Sequence, residues 1–263
     1  MLERINKNIQ SQSPVLDLHW AISDNFDFAL LSQCTHLETL ILSCNDAIKH
    51  LEWIEPLKNL KVLNLRSCTI RDASPLIHLH QLENLNLGFN FIHDFSVLGH
   101  LKKLRVLDLH ASQISKIDFL KPLKHLERLY LSYNQIVDLS PLINLSALVD
   151  LELIHNPIQY IAPLKNLGQL RRVNCDISNL AYPPRWYIYL QHKNGPLADY
   201  QPMDELPQVQ NIWQLICSDS PENQALAQQL ALGQGWATKD FEMYQDCRPQ
   251  KPEETDEDGY GWI

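Results

Sequence analysis

The sequence predicts an α/β solenoid. Its right-handed coil would carry a parallel sheet on the concave face and short 3₁₀ or helical turns on the convex face, with a small helical region at the C-terminal end. Three observations predict this. Leu60, Leu82, Leu104, Leu126, Leu148 and Leu170 recur every 22 residues, and Leu37 precedes the first of them by 23. Behind each anchor runs the pattern L-x-x-L-x-L-x-x-N/C/S-x-I/L. Further along each unit, apolar residues recur at intervals of three. A unit this short cannot bury its apolar face alone, so neighbouring units must stack.

Residues 1–36 are expected to cap the first coil, because a terminal coil would otherwise expose its apolar end. Within them Val15-Leu-Asp-Leu18 reads as a degenerate strand, and Phe26 to Leu31 as a short turn or helix.

Residues 37–180 form the solenoid, about seven repeats. With the anchor leucine as position 1, positions 4 and 6 are Leu40/Leu42, Leu63/Leu65, Leu85/Leu87, Leu107/Leu109, Leu129/Leu131, Leu151/Leu153 and Val173/Cys175. Alternation with period two marks a short strand with these side chains pointing inward. Strand spacing of about 4.8 Å per coil gives an arc on the order of 35 Å.

Position 9 is Asn45, Cys68, Asn90, Ser112, Asn134, Asn156 and Ser178, and a polar side chain buried there must find partners. Position 11 is Ile70, Ile92, Ile114, Ile136, Ile158 and Leu180. Apolar residues at positions 14, 17 and 20, such as Ile117/Leu120/Leu123, suit turns whose side chains eclipse every third residue. Pro75, Pro141 and Pro163 stand near the starts of these turns, where a missing N–H costs little. The extra residue of the first coil shifts its back residues to Leu51, Ile54 and Leu57.

Segments such as Val137-Asp-Leu-Ser-Pro-Leu-Ile-Asn-Leu145 resemble the 22-residue leucine-rich repeats of bacterial internalins and of the SDS22-like class. The resemblance covers residues 37–180. It implies the scaffold, and it implies that the position-9 side chains bond backbone groups of the loop leaving each strand.

Residues 181–250 are expected to be a C-terminal cap and helical module. Asn179-Leu-Ala-Tyr-Pro-Pro-Arg-Trp186 resembles the exit of many bacterial and Roco-type repeats, where a Pro-Pro pair opens a helix. A helix over Arg185 to Tyr200 would then close the open end. Val209 to Cys217 shows a helical stripe at Val209, Ile212, Trp213 and Ile216. Ser220-Pro221-Glu222 reads as N-cap, first position and acidic first turn of a second helix that stops at Gly233. A third, short helix would follow Thr238. Residues 251–263 are an acidic tail of disordered composition that ends in Tyr260, Trp262 and Ile263.

The chain of 263 residues has a net charge of −9. Residues 181–263 hold 5 Lys/Arg and 13 Asp/Glu, a balance of −8. Such a balance disfavours nucleic acid and anionic membranes and permits a basic protein partner. Neither a signal peptide nor a membrane span is visible. Cys34, Cys44, Cys68, Cys175, Cys217 and Cys247 fit neither a metal site nor a disulfide framework, so they read as reduced thiols of a cytoplasmic protein.

Chemistry is sparse. The sequence has no phosphate-binding glycine loop, no nucleophile elbow and no H-E-x-x-H, and it implies no cofactor, metal or catalytic residue. His78 and His80 fall on the coil's back. His110 and His155 lie two coils apart, on the order of 10 Å, too far to share one ion. Asp150 and Glu152 are neighbours on the outward face and read as solvated carboxylates.

Positions 3, 5 and 7 point to the concave front, and position 8 lies on its rim. These rows mix Arg, Tyr, Phe and His with small polar residues, the composition of a protein interface. The partner-binding candidates are Arg66, Phe89, Asp108, His110, Arg128, Tyr130, Tyr133 and Arg172. The expected function is non-catalytic capture of a partner protein on that face, in the form of a bacterial inhibitor or immunity-type protein neutralising a toxin. The alternatives are a regulatory or adaptor subunit of a cellular enzyme, as SDS22-like repeats are for a phosphatase, and an enzyme with its site in the C-terminal region.

Overall fold

The computed structural model describes residues 1–23, 25–176, 209–216, 218, 220–234, 236, 238, 241–242 and 245. Eight strands pair in parallel and in sequence order to make one open sheet. They are β1 (Val15–Asp17), β2 (Thr39–Ile41), β3 (Val62–Asn64), β4 (Asn84–Asn86), β5 (Val106–Asp108), β6 (Arg128–Tyr130), β7 (Asp150–Glu152) and β8 (Arg172–Asn174). The register places Leu16, Leu40, Leu63, Leu85, Leu107, Leu129, Leu151 and Val173 in one row. Every side chain of that row is buried. The strand count exceeds the expected seven because Val15–Asp17, inside the cap, pairs with β2 in full register.

The convex side is a stack of 3₁₀ turns at Glu52–Ile54, Ser74–His78, Ser96–His100, Asp118–Leu120, Ser140–Leu142 and Ala162–Asn166. Pro75, Pro141 and Pro163 occupy their first turn positions, where no N–H is required. Strand and turn leucines meet in the middle of each coil. In the fourth solenoid coil Leu104, Leu107, Leu109, Ile114, Ile117, Leu120 and Leu123 are all buried. Each such side chain stabilises the coil by about 1.5–3 kcal/mol relative to exposure.

The position-9 residues tie the coils together. Asn90 Nδ2 donates to Leu65 O at 2.8 Å and Leu87 O at 2.9 Å, while its Oδ1 accepts from Ile70 N at 3.1 Å. Asn45, Asn134 and Asn156 repeat the arrangement. Cys68 substitutes a thiol that contacts Leu42 O at 3.5 Å, and burial pushes that thiol up to about 11. Cys34, Cys44 and Cys68 are free thiols.

The N-terminal cap holds one element that the sequence did not announce. Helix α1 (Leu2–Ser11) buries Ile5 and Asn8 against the first coil. Asn8 Nδ2 donates to Ser13 O at 3.1 Å and Val15 O at 2.9 Å, which satisfies carbonyls at the start of the sheet. Its apolar stripe is only Leu2, Ile5 and Ile9, at helical spacing in a polar stretch. Helix α2 (Ala29–Ser32) is the short turn expected near Phe26 to Leu31.

Toward the C-terminus, α3 (Val209–Ile216) and α4 (Pro221–Gly233) pack on each other. Ser220 caps α4, its Oγ accepting from Asn223 N at 3.4 Å, with Pro221 at the first position and the end at Gly233 as expected. Ala227 and Ala231 are the buried face of α4, small enough to let a neighbour approach closely. No helix among the described residues is long and apolar enough to cross a membrane. The position-9 Ser178, Leu180, the closing segment Arg185 to Tyr200 and the tail 251–263 lie outside the described residues, as does most of the expected third helix after Thr238.

Candidate binding surface

Strands β1 to β7 each end in a backbone reversal at position 8. Trp20, Cys44, Ser67, Phe89, Ala111, Tyr133 and His155 all take left-handed φ values, between 49° and 60°. The sheet ladder continues through these residues, as in Phe89 N to His110 O at 2.7 Å and Tyr133 N to Ile154 O at 2.8 Å. A non-glycine residue in this conformation costs roughly 1–2 kcal/mol, and here it turns aromatic rings outward. Phe89 is 40% exposed and Tyr133 57%. The guanidinium carbon of Arg66 lies 4.3 Å from the centre of the Phe89 ring, and Tyr133 packs against His155 at 4.3 Å between centroids.

Position 5 has a structural task. Asp17, Asn64, Asn86 and Asp108 each accept a hydrogen bond from the N–H two residues on, at 2.9–3.0 Å. This local turn holds the strand end open for position 7.

On that frame the longer side chains build a network that jumps coils. Arg66 Nη1, just past β3, reaches Asp108 Oδ2 on β5, two coils on, at 3.6 Å. Asn86 Nδ2 donates to the same oxygen at 2.8 Å. His110 Nδ1 donates to Asp108 Oδ1 at 2.7 Å, and its Nε2 faces Glu152 Oε2, two coils away, at 3.4 Å. The His110 ring stacks on Tyr130 in the coil between, at 6.0 Å. The line from Arg66 to Asp108 passes over Gly88. A Cβ there would meet Asp108 Oδ1 at 3.2 Å and His110 N and O at 3.3 Å, so the missing side chain makes room for the network.

The charges follow from this geometry. The hydrogen bond to Asp108 raises the pKa of His110 above its ordinary value; burial opposes the shift, and the Asp108 and Glu152 charges reinforce it. Burial resists ionisation of Asp108, but the hydrogen bonds from His110 and the charges of His110 and Arg66 outweigh it and leave the carboxyl below its usual range. The geometry therefore favours an imidazolium between two carboxylates over the neutral ring. Burial, then the Asp150 charge, pushes the Tyr130 phenol up.

The structure brings Arg66, Asp108, His110 and Tyr130 into one cluster, with Phe89 attached through Arg66. Arg128 and Arg172 flank Asp150 in register on β6, β7 and β8, both exposed. Tyr133 stands apart on the rim. His155 also lies on the rim, stacked on Tyr133, and His78 is an exposed residue of the convex side 4.0 Å from Glu55. The expectation of two solvated carboxylates at Asp150 and Glu152 is corrected. Asp150 is buried, with its Oδ2 3.5 Å from Arg172 Nη1 and its Oδ1 without a hydrogen-bond partner among the described residues. Glu152 closes the His110 network. The neighbouring long side chains cover what strand alternation alone leaves in solvent.

Sequence reasoning missed three features. The roles of Asn86 and Gly88 arise from residues two coils away. A row of charges at position 2 pairs across coils, with Lys61–Glu38 at 2.9 Å and Arg105–Glu127 at 2.6 Å. Alternation of sign in that row was the available signal. Finally, exposed Phe91 borders a cavity of about 530 Å³ on the loop edge, lined also by Phe95, Phe119, Asp94 and Lys116.

The profile of the family described as leucine-rich repeats (two copies) matches residues 58–100, 80–122, 102–144 and 124–166. An internalin of Listeria monocytogenes superposes with a TM-score of 0.55 at 30% identity, over 59% of this chain and 48% of that one. Internalin C2 of the same organism gives 0.55 at 34% identity, over 57% and 66%. A leucine-rich repeat protein of Leptospira interrogans gives 0.57 at 29% identity, over 62% and 43%. The chain thus spans between 43% and 66% of the length of these proteins. No curated protein sequence matches it significantly. Solenoids of this kind are generally protein-interaction modules rather than enzymes. The chain is a leucine-rich repeat protein of the bacterial type, wound from 22-residue repeats.

Proposed function

We propose that the protein captures a partner protein on its concave face, with Tyr130, Arg128, Arg66 and His110 at the centre of the contact and Phe89, Tyr133 and Arg172 at its margin. The observation that carries this reading is the prelinked network Arg66–Asp108–His110–Glu152 beneath an accessible Tyr130. Side chains already locked to one another lose little further entropy on binding, and Tyr and Arg are the residues that most often dominate such contacts. Among modes of capture we favour stoichiometric inhibition of a basic protein such as a toxin, supported by the balance of −8 in residues 181–263, which follow the sheet in the chain. The free thiols of Cys34, Cys44 and Cys68 suit action in a reducing compartment such as the cytoplasm.

The test is paired capture with the intact chain and with a variant carrying Arg128→Glu and Tyr130→Ala. Mass identification of the bound protein is followed by calorimetric titration of the purified pair. Loss of two central contacts should weaken binding by about 30-fold or more, with an unchanged far-ultraviolet spectrum. Equal affinity of the two proteins would remove the concave face from the contact.

A further inference from the structure

We infer that the cleft beside Phe91, between the third and fourth solenoid coils on the loop edge, receives an extended segment of another protein and holds one of its aromatic side chains. The site is separate from the concave network and does not depend on it.

The cleft opens where one rung of the loop ladder is missing. At three places the N–H of position 10 donates to the preceding coil: Thr69 N to Ile48 O at 3.3 Å, Phe91 N to Ile70 O at 2.9 Å and Gln135 N to Ile114 O at 2.8 Å. The matching bond from Gln113 N to Ile92 O is absent. Among the described residues Gln113 alone takes a left-handed φ at position 10, of 58°. The cause lies one residue earlier, where Ser112 stands in place of the ladder asparagine. Its Oγ donates to His110 O of its own coil at 3.2 Å. Asn90 Oδ1, by contrast, reaches back to Ile70 N at 3.1 Å. The loop leans toward the next coil instead, and Ser112 N and Ile114 N both donate to Asn134 Oδ1. Cys68 also replaces an asparagine, but there the hydroxyl of Thr69 adds a bond to Asp46 O at 2.9 Å and the rung is kept.

Ile92 bears the consequence. It is 5% exposed, yet its backbone N–H and C=O have no hydrogen-bond partner among the described residues. Such groups are rare in native proteins and destabilising until they are paired. The same two groups of Ile70 both face the next coil. Those of Ile92 therefore face the cleft, which holds about 530 Å³ and is lined by Phe91 and Phe95 from one coil and Gln113, Ile114 and Phe119 from the other. The rings of Phe95 and Phe119 stack at 5.6 Å and form an apolar floor. Phe91, 49% exposed, is a wall. The acids at the mouth already have partners, Asp94 in Ser96 N at 2.8 Å and Asp118 in Lys121 at 2.6 Å.

The neighbouring loops show what satisfies this pair of groups: a backbone N–H for the carbonyl, and a carbonyl-type oxygen for the N–H. An extended peptide supplies both, with a side chain beside them for the floor. Two stacked phenylalanines favour an aromatic ring there.

The test uses the intact, isotopically labelled chain with N-acetyl-phenylalanine methylamide as probe. N-acetyl-glycine methylamide, with the same backbone and no ring, is the control. Without probe, the Ile92 amide should exchange with solvent about tenfold faster than those of Ile70 and Ile136, which asparagines hold. Equal protection would overturn the proposal. With the phenylalanine probe the Ile92 amide resonance should shift saturably, and with the glycine control more weakly. Ser112→Asn, the residue of the neighbouring coils, should slow the exchange and abolish the shift. Phe91→Ala, at an exposed position that leaves folding intact, should weaken it. Linear shifts, equal responses to the two probes, or a response unchanged in both variants would overturn the proposal. The Arg128→Glu, Tyr130→Ala protein should respond as the natural one does; a loss there would move the response to the concave face and overturn it equally.

Discussion

Replacing Asn134 with alanine should cost about 3 kcal/mol of folding free energy. Asn134 is 6% exposed and joins two successive loops. Its Nδ2 donates to Leu109 O at 2.9 Å and Leu131 O at 2.8 Å, and its Oδ1 accepts from Ser112 N at 3.1 Å and Ile114 N at 2.9 Å. Alanine leaves three of these backbone groups buried and unpaired, since Leu131 O keeps the bond from Asn156 Nδ2 at 2.9 Å. Each costs about 1–3 kcal/mol, and we take the low end because the vacated volume can admit a water. A whole domain is stable by only about 5–15 kcal/mol, so the loss is a large share. Because a solenoid is held by nearest-neighbour interfaces, the defect should also split one unfolding transition into two, with the coils on either side melting separately. The assay is equilibrium urea unfolding followed by far-ultraviolet circular dichroism. Val137→Ala, at a residue 59% exposed three positions away, is the control and should change stability by no more than about 0.5 kcal/mol. A loss below about 1 kcal/mol for Asn134→Ala, with a single transition kept, would show that the asparagine ladder is not what joins the coils.

Two further predictions concern the concave network. The folded pKa of His110 is raised, so its contribution to stability is fully present below the unfolded value of about 6.5 and is lost as pH rises through the folded value. The stability gap between the natural protein and His110→Gln, measured by urea unfolding, should therefore be widest near pH 6 and shrink toward pH 9; a gap that grows with pH would contradict the Asp108–His110–Glu152 assignment. Gly88→Ala should push the Asp108 carboxylate off His110, lower the His110 pKa toward the ordinary value and destabilise the protein by about 1–3 kcal/mol. Nuclear magnetic resonance titration of the His110 ring reads that shift directly, and an unmoved pKa would mean that the alanine fits without disturbing the network.

Of the candidate site, the rows were legible and the connections were not. Strand alternation places Asp108, Tyr130 and Glu152 in one row and Arg66 and His110 in the next. It carries no information about which long side chain leans across a coil, since that choice depends on the room left by Gly88 and on the hydrogen bond that fixes the His110 ring. The same limit applies to Asp150, which alternation exposes and its neighbours bury.

The coil itself is written in one dimension. A leucine spaced 22 residues from the next reports its own burial, because every unit meets the same neighbours and repeats the same solution. Capping was readable for the same local reason at Ser220 and Pro221, where three adjacent residues carry the signal. Helix α1 and the line from Arg66 to Glu152 had to wait for three dimensions. Their stability comes from contacts between distant units, where shape, reach and shielding from water decide the partner and no short stretch of chain records the choice.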